Sequence, residues 1–274
     1  MRFGWVSVTG VVCLALWGCG PGSGPVRTEL MAPEPLAAAD YRAPGLPAQF
    51  GDTKPHPWEG RPPASYPVHG IDAARYQGKI DWPKARAAGV EFAWLKATEG
   101  GDHIDPGYGA NAARARAAGV AVGAYHFYYF CRPAIEQADW FIRTVPARKG
   151  DLPPVLDIEW NHTSPSCQLR PPAAKVRAEM RIFLNALEAH YGTQPVVYTD
   201  PKFYEDNDLG RMAGVEFWLR SVSAHPSEKY PNERWSFWQY SGTGVVPGIG
   251  GTVDLNAFGG SRTGWENWLS GRAQ

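Results

Sequence analysis

The sequence predicts an α/β fold, an irregular TIM-like barrel of about five βα units followed by three strands with few helices. Three observations predict it. From Val68 to Asp200 strand-like and helix-like segments alternate, and a repeated strand-then-helix order implies parallel strands covered by helices. The strand-like segments are apolar with little alternation, as expected when both faces are buried. After Asp200 the rhythm changes, and three strand-like runs follow with no long helix between them.

In order, the first strand is "VHGIDAA" (68–74), and "DWPKARAAG" (81–89) is a short helix that Gly89 ends. "EFAWLKAT" (91–98) is a strand and "YGANAARARAAG" (108–119) a helix ended by Gly119. "VAVGAYHFYYF" (120–130) and "AIEQADWFIRTV" (134–145) form the third pair. "LPPVLDIEW" (152–160) precedes the long amphipathic helix "AAKVRAEMRIFLNALEAHYG" (173–192), and "PVVYTD" (195–200) is the fifth strand. "KFYEDNDLG" (202–210) adds at most a turn or so of helix. The closing strands are "VEFWLRSV" (215–222), "WSFWQYS" (235–241) and "TVDLNAF" (252–258). An open doubly wound sheet is the alternative, but it usually carries a glycine-rich phosphate loop after its first strand, and "GIDAARYQG" is not one.

Residues 1–67 stand apart. Arg2 precedes the apolar run "WVSVTGVVCLALWG" (5–18), too short to span a bilayer comfortably, and the two together read as a secretory signal over residues 1–18. "LWGC" (16–19) resembles a bacterial lipoprotein cleavage site at which Cys19 becomes the lipidated N-terminus. Trp17 departs from the usual small residue there, and an ordinary signal peptide with an incidental cysteine is the alternative. Residues 19–67 are rich in Pro, Gly and Ala without periodicity, a flexible linker holding a domain of residues 68–274 away from a membrane, with lipid as the only anchor. The expected location is the bacterial cell envelope, at the outer membrane if there is one.

A formal net charge of zero over 274 residues argues against non-specific nucleic-acid binding, which needs a basic surface. With 44% hydrophobic residues the chain can fill one full-sized core, and its 12 Trp are an unusually high content. Most are read as packing; several suit a carbohydrate cleft, where flat rings meet the apolar faces of sugars. Cys131 and Cys167 each follow a predicted strand, at the same end of a parallel sheet. In an exported chain a disulfide between them is expected, with two separate buried thiols as the alternative. A monomer is the default.

"PPVLDIEW" (153–160) sets two acids two residues apart in an apolar strand. Residues i and i+2 of a strand share a face, so Asp157 and Glu159 point into the barrel while Leu156 and Ile158 face the helices. They lie near the strand's C-terminal end, where barrel enzymes build their sites. Crowding and burial would keep at least one acid protonated near neutral pH. A protonated acid beside a carboxylate is the equipment for cleaving a glycosidic bond. The alternative is a buried ion network with Arg or Lys. Asp72 ends the first strand and Asp254 lies in the last, and these are neighbours in a closed barrel. Tyr125, Tyr198, Trp218, Trp238 and Gln239 lie at other strand ends and are candidates for the same cleft, whereas Glu99 and Asp102 fall in a loop-like "TEGGDHID" (98–105). The seven His form no zinc pattern, His126 reads as a satisfied core or cleft histidine, and no serine nucleophile elbow is present; no metal or cofactor is expected.

"GIDAARYQGKIDW", "FAWLKATEG", "GAYHFY", "PVLDIE", "VVYTD", "FWQYS" and "VDLNAF" together resemble, in order, the segments of the Chalaropsis-type lysozymes, glycoside hydrolase family 25, over roughly Val68 to Phe258. The resemblance implies an irregular barrel and an N-acetylmuramidase that cuts the β-1,4 bond between N-acetylmuramic acid and N-acetylglucosamine in peptidoglycan. It implies Glu159 as proton donor, and Asp157 as the partner that assists the substrate's N-acetyl group with retention of configuration. Asp72 and Asp254 would be further cleft acids, and Tyr125 and Tyr198 sugar contacts. "FWLRSVSAHPS" departs from the family pattern by placing Arg220 where a smaller residue is common; it is a candidate ligand for a peptide carboxylate, or a salt-bridge partner. A silent peptidoglycan-binding barrel and a chitinase-like hydrolase are the competing readings. The first is opposed by the intact acid set, the second by the absence of a D-x-x-D-x-D-x-E run.

Overall fold

The computed structural model describes residues 46–47 and 49–273. The signal segment 1–18, Cys19 and the linker as far as residue 45 lie outside the described residues. The strands in chain order are β1 (Gly51–Asp52), β2 (His69–Ala73), β3 (Phe92–Glu99), β4 (His103–Ile104), β5 (Ala121–Phe127), β6 (Val155–Asp157), β7 (Val196–Thr199), β8 (Glu216–Arg220), β9 (Trp235–Val245) and β10 (Val253–Phe258). The helices are α1 (Trp82–Ala87), α2 (Tyr108–Ala117), α3 (Ala134–Thr144), α4 (Ala173–Tyr191), α5 (Pro201–Asp206), α6 (Pro226–Lys229) and α7 (Arg262–Arg272).

Eight strands close into a barrel. β2, β3, β5, β6, β7, β8 and β9 are successive parallel neighbours, and β10 runs antiparallel between β9 and β2. β4 pairs with the end of β3, and β1 with the end of β9. Five βα units therefore precede three strands, β8 to β10, which have only the four-residue α6 among them. The predicted barrel is the observed one.

Strand alternation sorts the side chains into layers. Along β3, Ala93, Leu95 and Ala97 meet the helices, while Phe92 and Trp94 fill the barrel with Val155, Val196, Trp218 and Phe237. Trp94 stacks on Trp218 with ring centroids 4.8 Å apart and donates Nε1–H to the Pro153 carbonyl at 3.2 Å. Facing Trp94 on β5 is Gly123, where a Cβ would fall 2.4 Å from the indole, so glycine is what admits the ring.

Two features were not foreseen. Helix α7 begins where the Ser261 hydroxyl accepts the Gly264 N–H at 3.0 Å, and its Trp265 and Trp268 close the barrel floor against Phe92, Phe237 and Phe258. The boundary at Val68 is also corrected. Gly51–Asp52 already pairs with β9, Phe50 and Trp58 pack on the core, and Tyr66 is buried, so apolar side chains bind the last part of the supposed linker to the barrel.

Candidate active site

The barrel interior changes character two residues beyond its aromatic filling. From Trp94 to Lys96, from Trp218 to Arg220 and from Val155 to Asp157 and then Glu159, the same inward face turns from apolar to charged at the C-terminal ends of the strands. Lys96, Asp157, Glu159, Trp218 and Arg220, with Asp72, Tyr125, Tyr198, Asp200, Gln239 and Asp254, line an open cleft of about 700 Å³. Asp72 and Asp254 are direct partners in the antiparallel β2–β10 register, so the first and last strands deliver their acids together. Trp218 forms the floor rather than a wall: its ring is 1% exposed, and its Nε1–H is given to Asn256 Oδ1 at 2.8 Å.

A hydrogen-bond relay holds Asp72. Tyr198 donates its hydroxyl to Gln239 Oε1 at 2.9 Å, which turns the Gln239 amide nitrogen toward Asp72 Oδ1 at 3.1 Å. The Asn256 nitrogen reaches the same oxygen at 2.8 Å. Two amide donors favour the carboxylate, yet burial outweighs them and raises the Asp72 pKa to about 6. Burial and then repulsion from Asp72 lift Asp254 to about 8. Burial and then the neighbouring Asp200 lift Glu159 to about 7, against the pull of Arg220. Asp157 is pushed well above the usual carboxylate range by burial and by Glu159, and its Oδ1 is buried without a hydrogen-bond partner among the described residues. The buried ion network is not what forms. Among the described residues no Lys or Arg nitrogen lies within 4.0 Å of the carboxylates of Asp72, Asp157, Glu159 or Asp254, and Lys96 pairs with Glu99 instead.

Crowded acids at one barrel mouth, some held protonated near neutral pH, fit the chemistry of glycosidic bonds. The chain matches the model of Glycosyl hydrolases family 25 over residues 71–249. It belongs to glycosyl hydrolase family 25. This family 25 enzyme is 37% identical over 210 residues to "Lysozyme M1" of Streptomyces globisporus, covering 71% of this chain and 68% of that one. It is 36% identical over 217 residues to "Uncharacterized protein YegX" of Escherichia coli O157:H7, covering 76% of each. Among solved structures, a family 25 glycosyl hydrolase from Bacillus anthracis superposes with a TM-score of 0.70 at 33% identity, over 79% of this chain and 98% of that one.

In this family 25 chain the structure gathers Asp72, Tyr125, Asp157, Glu159, Tyr198, Trp218, Arg220, Gln239 and Asp254 around one cleft. Trp238 is the exception and corrects the sequence reading. It precedes Gln239 in β9, so it points to the opposite face, where it is fully buried against Trp58 and Tyr66 and donates Nε1–H to the Ser221 carbonyl at 2.7 Å. Glu99, loop-like by sequence, ends β3 and lines the cleft, accepting the Tyr129 hydroxyl at 2.5 Å; Asp102 is exposed as expected. Lys96, Phe127, Tyr129 and Asp200 are cleft residues that were missed. His126 is a core histidine on the outer face, held by Thr98 at 2.7 Å and Gln137 at 3.1 Å, with burial lowering its pKa to about 4. Cys131 and Cys167 are bonded, 36 residues apart, and join the loop after β5 to the loop after β6.

Proposed function

We propose that this chain is a peptidoglycan muramidase that cuts the β-1,4 bond between N-acetylmuramic acid and N-acetylglucosamine. One observation carries the proposal: Glu159, with a pKa near 7, stands beside Asp157, whose buried Oδ1 has no hydrogen-bond partner among the described residues. Glu159 in its protonated form gives its hydrogen to the departing glycosidic oxygen. Asp157 Oδ1 accepts the N–H of the substrate's 2-acetamido group and so directs the acetamido oxygen onto the anomeric carbon. Glu159, now a carboxylate, then draws a proton from the water that opens the intermediate, and the configuration is retained. Tyr125 and Tyr198 flank the sugar, Asp72, with a pKa of about 6, places negative charge where the anomeric centre becomes positive, and Asp254, mostly protonated at neutral pH, is a hydrogen-bond donor to the substrate. Arg220 offers a cation to a stem-peptide carboxylate.

The wild-type chain should release reducing ends from purified sacculi, and mass spectrometry should find N-acetylmuramic acid at the new reducing termini. Glu159→Gln should lose roughly 10²–10⁴-fold of the rate, the usual range for a positioned acid. A Glu159→Gln variant that cleaves as fast as the wild type refutes the assignment, and cleavage of chitin but not of sacculi refutes the substrate.

The reading extends to location. The apolar run of residues 5–18 followed by Cys19 supports export and lipid anchoring at the cell envelope, and the Cys131–Cys167 bond suits an oxidising compartment. Fractionation of cells making the full chain should place it with membranes.

A further inference from the structure

Asp200 is a cleft acid that the proposed mechanism leaves without a task. It lies directly after β7, and the parallel β6–β7 register pairs Asp157 with Tyr198. Two residues further along both strands, Glu159 and Asp200 are therefore side by side on the inward face. The register is held there by the Ile158 N–H, which bonds the Tyr198 carbonyl at 3.0 Å. Asp200 Oδ1 is anchored from behind, accepting the Phe203 N–H at 2.8 Å at the start of α5. Two carboxyl groups in contact form a hydrogen bond only when one of them carries a proton. With Asp200 Oδ1 occupied by the Phe203 N–H, Glu159 is the partner that gives the hydrogen.

We propose that Asp200 is a positioning residue for the proton donor: anchored by the Phe203 amide, it accepts a hydrogen bond from the Glu159 carboxyl and keeps the proton on Glu159 before substrate arrives. The inference rests on Glu159 being the donor. The contact between the two carboxyls agrees with it, since Asp200 follows burial as a cause of the raised Glu159 pKa. Other groups face the same cleft: Asp72 from β2, Lys96 from β3, Tyr125 from β5, Asp157 from β6, Tyr198 from β7, Arg220 from β8 and Asp254 from β10. Of these, Asp72 pushes in the same direction as Asp200 and Arg220 pulls against both. Lys96 is turned to Glu99 and to the Phe127 ring, 4.7 Å from its centroid.

The test is the pH profile of kcat/KM for wall cleavage in Asp200→Asn and Asp200→Ser. Asn and Ser both cap helices well, so both keep an acceptor for the Phe203 N–H and should leave the melting temperature near that of the wild type. Neither carries the negative charge. The alkaline limb should move to lower pH by about one unit, which means roughly a five- to tenfold loss at pH 7.5 and little loss at pH 5. An alkaline limb that stays in place, or a loss equal at all pH values, overturns the proposal and makes Asp200 a helix cap only. A Glu159→Gln variant that remains active would overturn the donor assignment itself, whatever Asp200 does.

Discussion

The lower and upper halves of the barrel interior are built on the same strands and the same faces, yet they do opposite things to stability. Below, Phe92, Trp94, Phe237, Phe258 and Trp265 form a buried aromatic plug. Above, two residues along, Asp72, Asp157, Glu159 and Asp254 are desolvated on top of that plug with their pKa values raised. The plug supplies the dry floor that keeps water from relaxing the acids from beneath, so the protonation states proposed for catalysis depend on residues buried below the cleft. The lower half favours folding, and the upper half spends part of that gain on reactivity.

Deleting from the plug should produce the largest effect of the comparison. Trp94→Ala removes the stack on Trp218 and leaves the Pro153 carbonyl without its indole donor. A loss of about 3–5 kcal/mol in unfolding free energy is expected, read from urea midpoints at constant m. A loss under about 1 kcal/mol would mean that the aromatic layer is not the structural half.

The mouth should respond with the opposite sign. Asp254 has an ordinary carboxylate pKa when unfolded and one of about 8 when folded, so the folded state binds the extra proton. Stability from this group is complete below the unfolded pKa and is lost as pH rises from about 4 to about 8. Asp254→Asn mimics the protonated acid at every pH. Its unfolding free energy should match the wild type near pH 4 and exceed it increasingly up to pH 8, by an amount on the order of a few kcal/mol, while wall cleavage falls. The difference between the two proteins is the quantity to measure. Buried His69 and His126, both lowered to about 4, take stability away below the ordinary histidine pKa in each protein alike. A difference that stays flat from pH 4 to pH 8 would break the contrast between plug and mouth.

The barrel was legible because its strands and helices alternate with clear periods, and the acids of "VLDIE" and "VDLN" because strand-end carboxylates stand out against apolar neighbours. The same i, i+2 step that selects Asp157 and Glu159 also selects Tyr198 and Asp200, and Trp94 and Lys96; the signal for two of the missed residues, Asp200 and Lys96, lay in "VVYTD" and "WLKAT". Helix α7 was hidden because its Trp265, Trp268 and Leu269 make a short apolar stripe among polar residues, and only the barrel floor gives it a partner. The ordering of residues 50–66 was hidden by proline-rich composition. What binds that segment is long-range contact, such as Trp58 against Trp238 at 5.1 Å, which local composition does not report.

The smallest expected effect separates the two faces of a single strand. Trp238 and Gln239 are consecutive in β9, so alternation sends the indole outward to Trp58 and Tyr66 and the amide inward to Asp72 and Tyr198. Trp238→Phe keeps most of the apolar contact but loses the bond to the Ser221 carbonyl. About 1–2 kcal/mol of stability should go, with kcat/KM for wall cleavage unchanged at temperatures where the protein is folded. Gln239→Leu keeps the volume, strips one donor from buried Asp72 and leaves the Tyr198 hydroxyl without its acceptor. A roughly tenfold fall in kcat/KM is expected, because Asp72 then rises further toward its neutral form and Tyr198 is free to swing across the sugar site. If Trp238→Phe lowers kcat/KM and Gln239→Leu does not, the register of β9 is shifted by one residue, and the whole inward row from Phe237 to Gln239 must be turned to the other side.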